Sequence, residues 1–378
     1  MILDRKLVYL VAFAFATAWL FLISKTRDPV EYDAAACAGP RITSLAARVE
    51  ANEQGYLINE RYGCIDKASF DQAMAQKAAF QDGSTQVRTA VSGTGAVKQK
   101  ETLAQARQGF HTSVSVITGQ PLPLPHPPTK LFVRSDYSSG SNLLPAFITP
   151  APGDGKKHAA IIWLTGGDTS SLDDFWTPGS PSDDQSASAF REAGVVMMFP
   201  TLRGGNGNAG ARQYFLGEVD DVLAAADHLA RQDYVDPDRI YLGGHSTGGT
   251  LALLAAETNG RFAAVFAFGP VRSVDRYPQS LVPVDFSNYA EPELKLRSPI
   301  HWLQGIASAT YVIEGKESPG NIDELDELCA GSRNPQLHCI PVNGANHFSV
   351  LSKVTRVIAA RIVVSGDGVE FALRPEEF

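Results

Sequence analysis

The six residues Gly244-His245-Ser246-Thr247-Gly248-Gly249 have the types and spacing of a site for nucleophilic attack on an acyl carbon. Before them, Arg239-Ile240-Tyr241-Leu242-Gly243 is a short apolar stretch of β-forming residues. After them, Thr250 to Glu257 is rich in leucine and alanine and reads as a helix. A serine between a buried strand and a helix sits on a turn so tight that side chains at Gly244 and Gly248 would collide. That turn lifts Oγ above the sheet and points it at the helix N-terminus. The spacing G-x-S-x-G alone arises by chance in glycine-rich loops, and the strand-turn-helix frame is what makes it specific.

A serine hydroxyl needs a base, and the base needs an orienting acid. His347 lies in Gly344-Ala345-Asn346-His347-Phe348, after the last predicted strand and before the last predicted helix. It completes the chain order serine, acid, histidine. His245 is locked in the turn and reads as structural, and His228 reads as part of a solvated helix face. His111, His126 and His158 precede or open the domain, His301 precedes a strand, and His338 sits in a cysteine-bounded loop.

These residues need a scaffold, and the apolar runs supply one. Leu131–Arg134 and Leu143–Thr149 read as a leading antiparallel pair. Ala159–Leu164, Gly194–Phe199, the strand before Ser246, Phe262–Phe268, Thr310–Ile313 and Leu337–Val342 read as buried strands. Helices are predicted over Gly217–Arg231, Ile322–Cys329 and Phe348–Val363. In the first, Val219, Val222, Leu223, Ala226 and Leu229 point inward. Near-continuous apolar strands alternating with helices mean a parallel sheet covered on both faces, with its site at the carboxyl ends of the strands. The proline-dense run 120–129 is extended and marks a boundary. It separates a small, mostly helical region, 30–119, from a catalytic domain, 130–378. Helices are expected at Asp66–Gln81 and Thr102–Gln108.

The N-terminus has its own signature. Leu7–Ile23 carries no charge and is flanked by Arg5, Lys6, Lys25 and Arg27. Its length is adequate for a membrane helix with snorkelling flanks, and residues 1–29 are expected to be a retained signal anchor. A cleaved signal peptide is the rival reading, but the only small-residue run, Ala34-Ala35-Ala36-Cys37, lies too far along. The basic flanks balance and leave orientation open. Cys329 and Cys339 bound one loop, and Cys37 and Cys64 bracket the start of the soluble part. Two local disulfides would imply an oxidising compartment, and hence an exoplasmic or periplasmic catalytic domain. The net charge of −8 with no Lys/Arg block argues against a nucleic-acid partner.

From Leu131 to Val363 the chain resembles the catalytic domain of the prolyl oligopeptidase family of α/β-hydrolases. The matching runs are Trp163-Leu164-Thr165-Gly166-Gly167, Pro200 to Gly207, Tyr234 to Ile240, the serine turn, and Gly344-Ala345-Asn346-His347. The resemblance implies an α/β-hydrolase fold with Ser246 as nucleophile and His347 as general base. It also implies an acyl-enzyme intermediate, a peptide or acyl-ester substrate, and no cofactor. Larger relatives screen substrates with a β-propeller, for which 30–119 is too short. Val271–Ser308 is expected to cap the site instead.

The chain departs from that pattern twice. Thr165 stands where relatives carry His or Tyr, so the oxyanion would be held by the Thr247 N–H and a main-chain N–H of Gly166 or Gly167. The family aspartate is also missing, because Gly315-Lys316-Glu317-Ser318-Pro319 puts a serine at its place. Glu314 and Glu317 are the candidate acids, with Asp323 and Asp275 behind them. Arg203 reads as a structural partner of Glu218 or Asp220, and alternatively as a ligand for a substrate carbonyl or carboxylate. The altered positions also admit a second reading, a membrane-anchored pseudo-enzyme or binding module on the same frame.

Overall fold

The computed structural model describes residues 57–59, 63–65, 101–117, 122–365 and 371–378. The chain divides into two compact units, 1–98 and 99–378. The described part of the first is an antiparallel pair, β1 (Leu57–Asn59) and β2 (Gly63–Ile65), with Leu57 opposite Ile65. The expected anchor at Leu7–Ile23, the expected helix at Asp66–Gln81 and Cys37 lie outside the described residues. Among the described residues, no helix is long and apolar enough to cross a membrane.

The second unit opens with α1 (Leu103–Arg107), where Thr102 and Gln105 form a reciprocal capping box. Leu103 is fully buried. The following strap runs through residues 108–117. Its Thr112 and Ser113 hydroxyls donate to the buried Glu293, at 2.7 and 2.9 Å. Its Val116 exchanges a pair of 2.9 Å backbone hydrogen bonds with Arg212. Residues 101–117 therefore pack within the second unit, although they precede the proline-rich run.

An eight-stranded sheet forms the centre of this unit. Its leading elements are β3 (Val133–Arg134), a hairpin of β4 (Tyr137–Ser139) and β5 (Asn142–Leu144), and β6 (Ala146–Ile148). Then follow β7 (His158–Leu164), α2 (Ala189–Glu192), β8 (Val196–Pro200), α3 (Gly217–Ala230), β9 (Val235–His245) and α4 (Thr247–Thr258). The last part is β10 (Val265–Phe268), α5 (Glu291–Lys295), β11 (Thr310–Glu317), α6 (Ile322–Gly331), β12 (Leu337–Asn346) and α7 (Val350–Val364). The strand order is β12-β11-β10-β9-β7-β8-β6-β3. The six strands from β12 to β8 run parallel, and β6 and β3 add antiparallel.

Alternation explains why both faces are covered. Ala160, Ile162 and Leu164 of β7 enter one core with α3 and α4, while Ile161 and Trp163 enter the opposite core with α7. The chain runs β7 to β8, then crosses back to place β9 on the other side of β7. The strand order thus reverses between β7 and β9, which opens a crevice at their carboxyl ends.

Candidate active site

Ser246 occupies that crevice, at the junction of β9 and α4. Its backbone is left-handed, with φ 54° and ψ −114°, a strained conformation for a residue with a side chain. The Ser246 N–H donates to the Phe268 carbonyl at 2.7 Å, and the Ser246 carbonyl accepts from Thr250 N–H at 2.9 Å. The neighbouring glycines allow the turn. A Cβ at Gly244 would lie 2.3 Å from the Gly248 carbonyl oxygen, and one at Gly248 would lie 2.3 Å from that of Leu164.

Glu314, fully buried, ends the inward part of β11, and His347 follows the end of β12. Glu314 Oε2 lies 2.9 Å from His347 Nδ1. The carboxylate accepts two further donors, Gly315 N–H at 2.8 Å on Oε1 and Asn321 N–H at 3.3 Å on Oε2. These fix its plane and offset the cost of its burial. The His347 N–H donates to the Pro319 carbonyl at 3.0 Å. Of the acids read from sequence, Glu314 reaches the histidine. Glu317, Asp323 and Asp275 are exposed, and Asp275 accepts instead from the Ser273 hydroxyl.

His245 is the second imidazole in the site, with its ring centroid 4.5 Å from that of His347. Its Nε2 lies 2.9 Å from the His347 carbonyl oxygen, which can only accept, so Nε2 carries the proton. Its Nδ1 accepts from Gln185 Nε2 at 2.8 Å. Burial, reinforced by His347 nearby, pulls the His245 pKa down to about 3. This ring stays neutral and fixes the backbone of His347. The structural reading of His245 thus acquires a specific job.

On the β7 side of Ser246 lies the strip Thr165-Gly166-Gly167. The Gly166 N–H donates to Gln185 Oε1 at 3.2 Å, so this expected oxyanion donor is already engaged. Gly167 has φ +74°, and its carbonyl accepts the Thr247 hydroxyl at 3.0 Å. Beyond Gly167 and Thr247 opens a cavity of about 230 Å³, floored by Phe215 and Leu251 and edged by Val282 and Pro283. The last two belong to the segment expected to cap the site.

Arg203 takes the structural role, with a different partner from those read in the sequence. Its Nε and Nη2 donate to the fully buried Asp221 at 2.9 and 2.8 Å. Asp220 faces outward to Arg107 at 2.5 Å, and Glu218 accepts from the backbone N–H groups of Gln213 and Tyr214. A one-residue difference on a helix is a rotation of about 100°, which is why composition alone misassigns the partner. His228 is half-buried rather than solvated, with its Nε2 2.8 Å from the Ser135 hydroxyl.

Four residues near the site carried no sequence signal of their own: Gln185, Gly269, Tyr277 and Asn321. Gly269 has φ +56°, and a Cβ there would meet His347 Cε1 at 2.3 Å and Glu314 Oε2 at 2.7 Å. A glycine directly after a predicted strand was the only available clue. Among the described residues, no cluster of His, Cys, Asp or Glu is placed to hold a metal ion.

A mostly parallel, helix-covered sheet with a strained serine at the β7/β9 crevice is the arrangement of the α/β-hydrolase fold. Residues 181–303 match the prolyl oligopeptidase family model. The match contains Ser246 and stops short of Glu314 and His347. Dipeptidyl-peptidase 5 of Porphyromonas gingivalis is 28% identical over 160 residues, covering 40% of this chain and 23% of that protein. The chain therefore spans about a quarter of that relative's length. Among solved structures, 2,6-dihydroxy-pseudo-oxynicotine hydrolase superposes with a TM-score of 0.50 at 18% identity, over 64% of this chain and 71% of its own. A puromycin-hydrolyzing peptidase of Mycobacterium tuberculosis gives 0.51 at 16% identity, over 61% and 38%. At these identities the two structures establish the fold alone.

Proposed function

We propose that the chain hydrolyses a peptide or acyl ester through an acyl-enzyme on Ser246. His347 Nε2 takes the serine proton as Oγ attacks, then returns it to the leaving group. Glu314 holds the imidazole in the tautomer that leaves Nε2 free to accept. The developing oxyanion is held by the Thr247 N–H at the start of α4, with the Gly167 N–H as second donor in place of the engaged Gly166. The observation that carries this reading is the 2.9 Å contact between the buried Glu314 carboxylate and His347 Nδ1, beside the strained serine. A pseudo-enzyme has no need to keep a desolvated carboxylate on a histidine.

The small cavity, about 230 Å³, favours a compact acyl or aminoacyl group. Small esters are accordingly the first substrates to offer, with dipeptide-like amides second. The Cys329–Cys339 disulfide supports residence in an oxidising compartment.

The test is labelling of the full chain with a fluorophosphonate, beside Ser246→Ala and His347→Ala, followed by p-nitrophenyl esters and aminoacyl-nitroanilides. Labelling abolished in the first variant and strongly reduced in the second is the expected result. A folded wild type that does not label refutes the reading. Turnover of the esters alone identifies an esterase, and turnover of the anilides identifies a peptidase.

A further inference from the structure

Tyr214 and Phe215 are consecutive aromatic residues with left-handed backbones, at φ 46° and 70°. Bulky side chains rarely adopt that region, and a pair in succession persists only where its surroundings dictate it. Here two buried charged side chains do so. The peptide unit joining Gln213 to Tyr214 is gripped from both sides. Its N–H donates to Glu218 Oε1 at 3.1 Å, and its carbonyl accepts from Arg297 Nε at 3.0 Å. Arg297 Nε also reaches the Tyr214 carbonyl, at 2.8 Å. Arg297 has no exposed surface and Glu218 almost none, so these bonds lie in a dry interior, where they hold most firmly.

The rest of the Arg297 fork points to the strap. Nη1 donates to the Glu293 carboxylate at 2.7 Å, and Nη2 to Thr112 Oγ1 at 2.8 Å. The Thr112 and Ser113 hydroxyls donate in turn to Glu293. One guanidinium thus ties the strap and α5 to the strained turn that precedes α3. What this turn delivers is the Phe215 ring. It stacks on Tyr277, with centroids 5.7 Å apart and planes 8° from parallel, and floors the cavity beyond Gly167 and Thr247. With an oxyanion held at those two residues, the acyl group of a substrate occupies this cavity, and the ring limits its length.

We propose that Phe215 restricts the substrate to short acyl groups, and that Arg297 is the positioning residue that holds Phe215 there through the carbonyls of Gln213 and Tyr214. This rests on the reading of Ser246 as nucleophile, with the acyl group beside Gly167 and Thr247. The strap before the proline-rich run then has a part in substrate selection, because Thr112 and Glu293 fix the guanidinium. A lysine at position 297 would keep the charge beside Glu293. Its single nitrogen could not grip both carbonyls and the strap at once, as the planar fork does. The left-handed pair would relax toward the ordinary region, and the ring would leave the floor of the cavity.

The experiment measures kcat/KM of the full chain for p-nitrophenyl octanoate and p-nitrophenyl acetate in wild type, Phe215→Ala, Arg297→Lys and the double variant. The octanoate-to-acetate ratio is taken within one preparation, so loss of folded enzyme cancels from it. Phe215→Ala is expected to raise the ratio about tenfold or more, the scale on which an apolar pocket discriminates chain length. Arg297→Lys should raise it by a smaller factor, and should add nothing in the Phe215→Ala background, because it acts through that ring. A Phe215→Ala ratio within twofold of wild type overturns the selection by Phe215. An Arg297→Lys ratio at the wild-type value, or strict multiplication in the double variant, overturns the positioning role. Where a variant does not fold, Phe215→Leu and Thr112→Val replace it in the same comparison. If only anilides turn over, phenylalanyl against alanyl nitroanilide gives the ratio. A wild type that neither labels with a fluorophosphonate nor turns over any of these substrates overturns the nucleophile reading and this one together. An active wild type with an unmoved Phe215→Ala ratio overturns this one alone.

Discussion

Glu314 Oε2 and His347 Nδ1 meet at 2.9 Å because β11 and β12 are adjacent parallel strands that end at the same edge of the sheet. Glu314 stands opposite Pro341 in register, and the further run of β12 brings His347 back over the carboxylate.

Replacing Glu314 by Gln keeps the shape and removes the charge. An amide can donate to Nδ1 and trap the wrong tautomer, so kcat on a p-nitrophenyl ester is expected to fall by about 10⁴ with KM little changed. Glu317→Gln, at an exposed position, should stay within twofold of wild type. Reversal of that ranking would assign the acid to Glu317.

Gly269 is the space that the pair requires. A methyl there would overlap both His347 and Glu314 and would strain a backbone at φ +56°. Gly269→Ala is expected to lower kcat by about a hundred-fold or more, since displacement of a catalytic group by about 1 Å costs that much. Circular dichroism should show the sheet and helices retained. Full activity in a folded Gly269→Ala protein would contradict the fixed geometry of the pair.

The parts of this site that were legible in the sequence are those set by local backbone. Gly244, Ser246 and Gly248 must lie close together because one tight turn demands it, and the alternating apolar runs locate the strands. His347 was readable from its place after the last strand. The acid was not, because predicted β11 stopped at Ile313, whereas the strand continues to Glu317 through pairing with β12. That extension places Glu314 inside the sheet edge, and only pairing between strands determines it. Gln185 and Tyr277 meet their partners His245 and Thr250 across long sequence separations, so no window of sequence could contain both partners. Asp221 was missed for a subtler reason, since three acids within four positions differ only in the helix face they occupy.

The disulfide Cys329–Cys339 joins α6 to β12, with Cα atoms 6.2 Å apart. Closing a loop of this size removes unfolded-chain entropy worth about 2–3 kcal/mol. Reduction, or the double substitution Cys329→Ser/Cys339→Ser, is expected to lower the melting temperature by several degrees. The labelling rate below the transition should be unchanged, because His347 is anchored separately through Pro319 and His245. Thiol labelling of these two cysteines in the native protein without reductant would show that the bond does not form.

His245 makes folding sensitive to acid. Its pKa is about 3 in the fold against about 6.5 in the unfolded chain. Between those values the unfolded state binds a proton that the native state refuses, so unfolding becomes easier as pH falls. The contribution is fully present above pH 6.5 and declines by up to about 1.4 kcal/mol per pH unit down to pH 3. Urea denaturation of wild type and His245→Asn between pH 7.5 and 4 checks this. The variant is expected to be less stable at neutral pH, through loss of the bonds to Gln185 and His347, yet to lose less stability on acidification. The two curves should therefore converge as pH drops. Parallel curves would mean that the buried imidazole accepts its proton without penalty, and would remove His245 as the neutral brace of the His347 backbone.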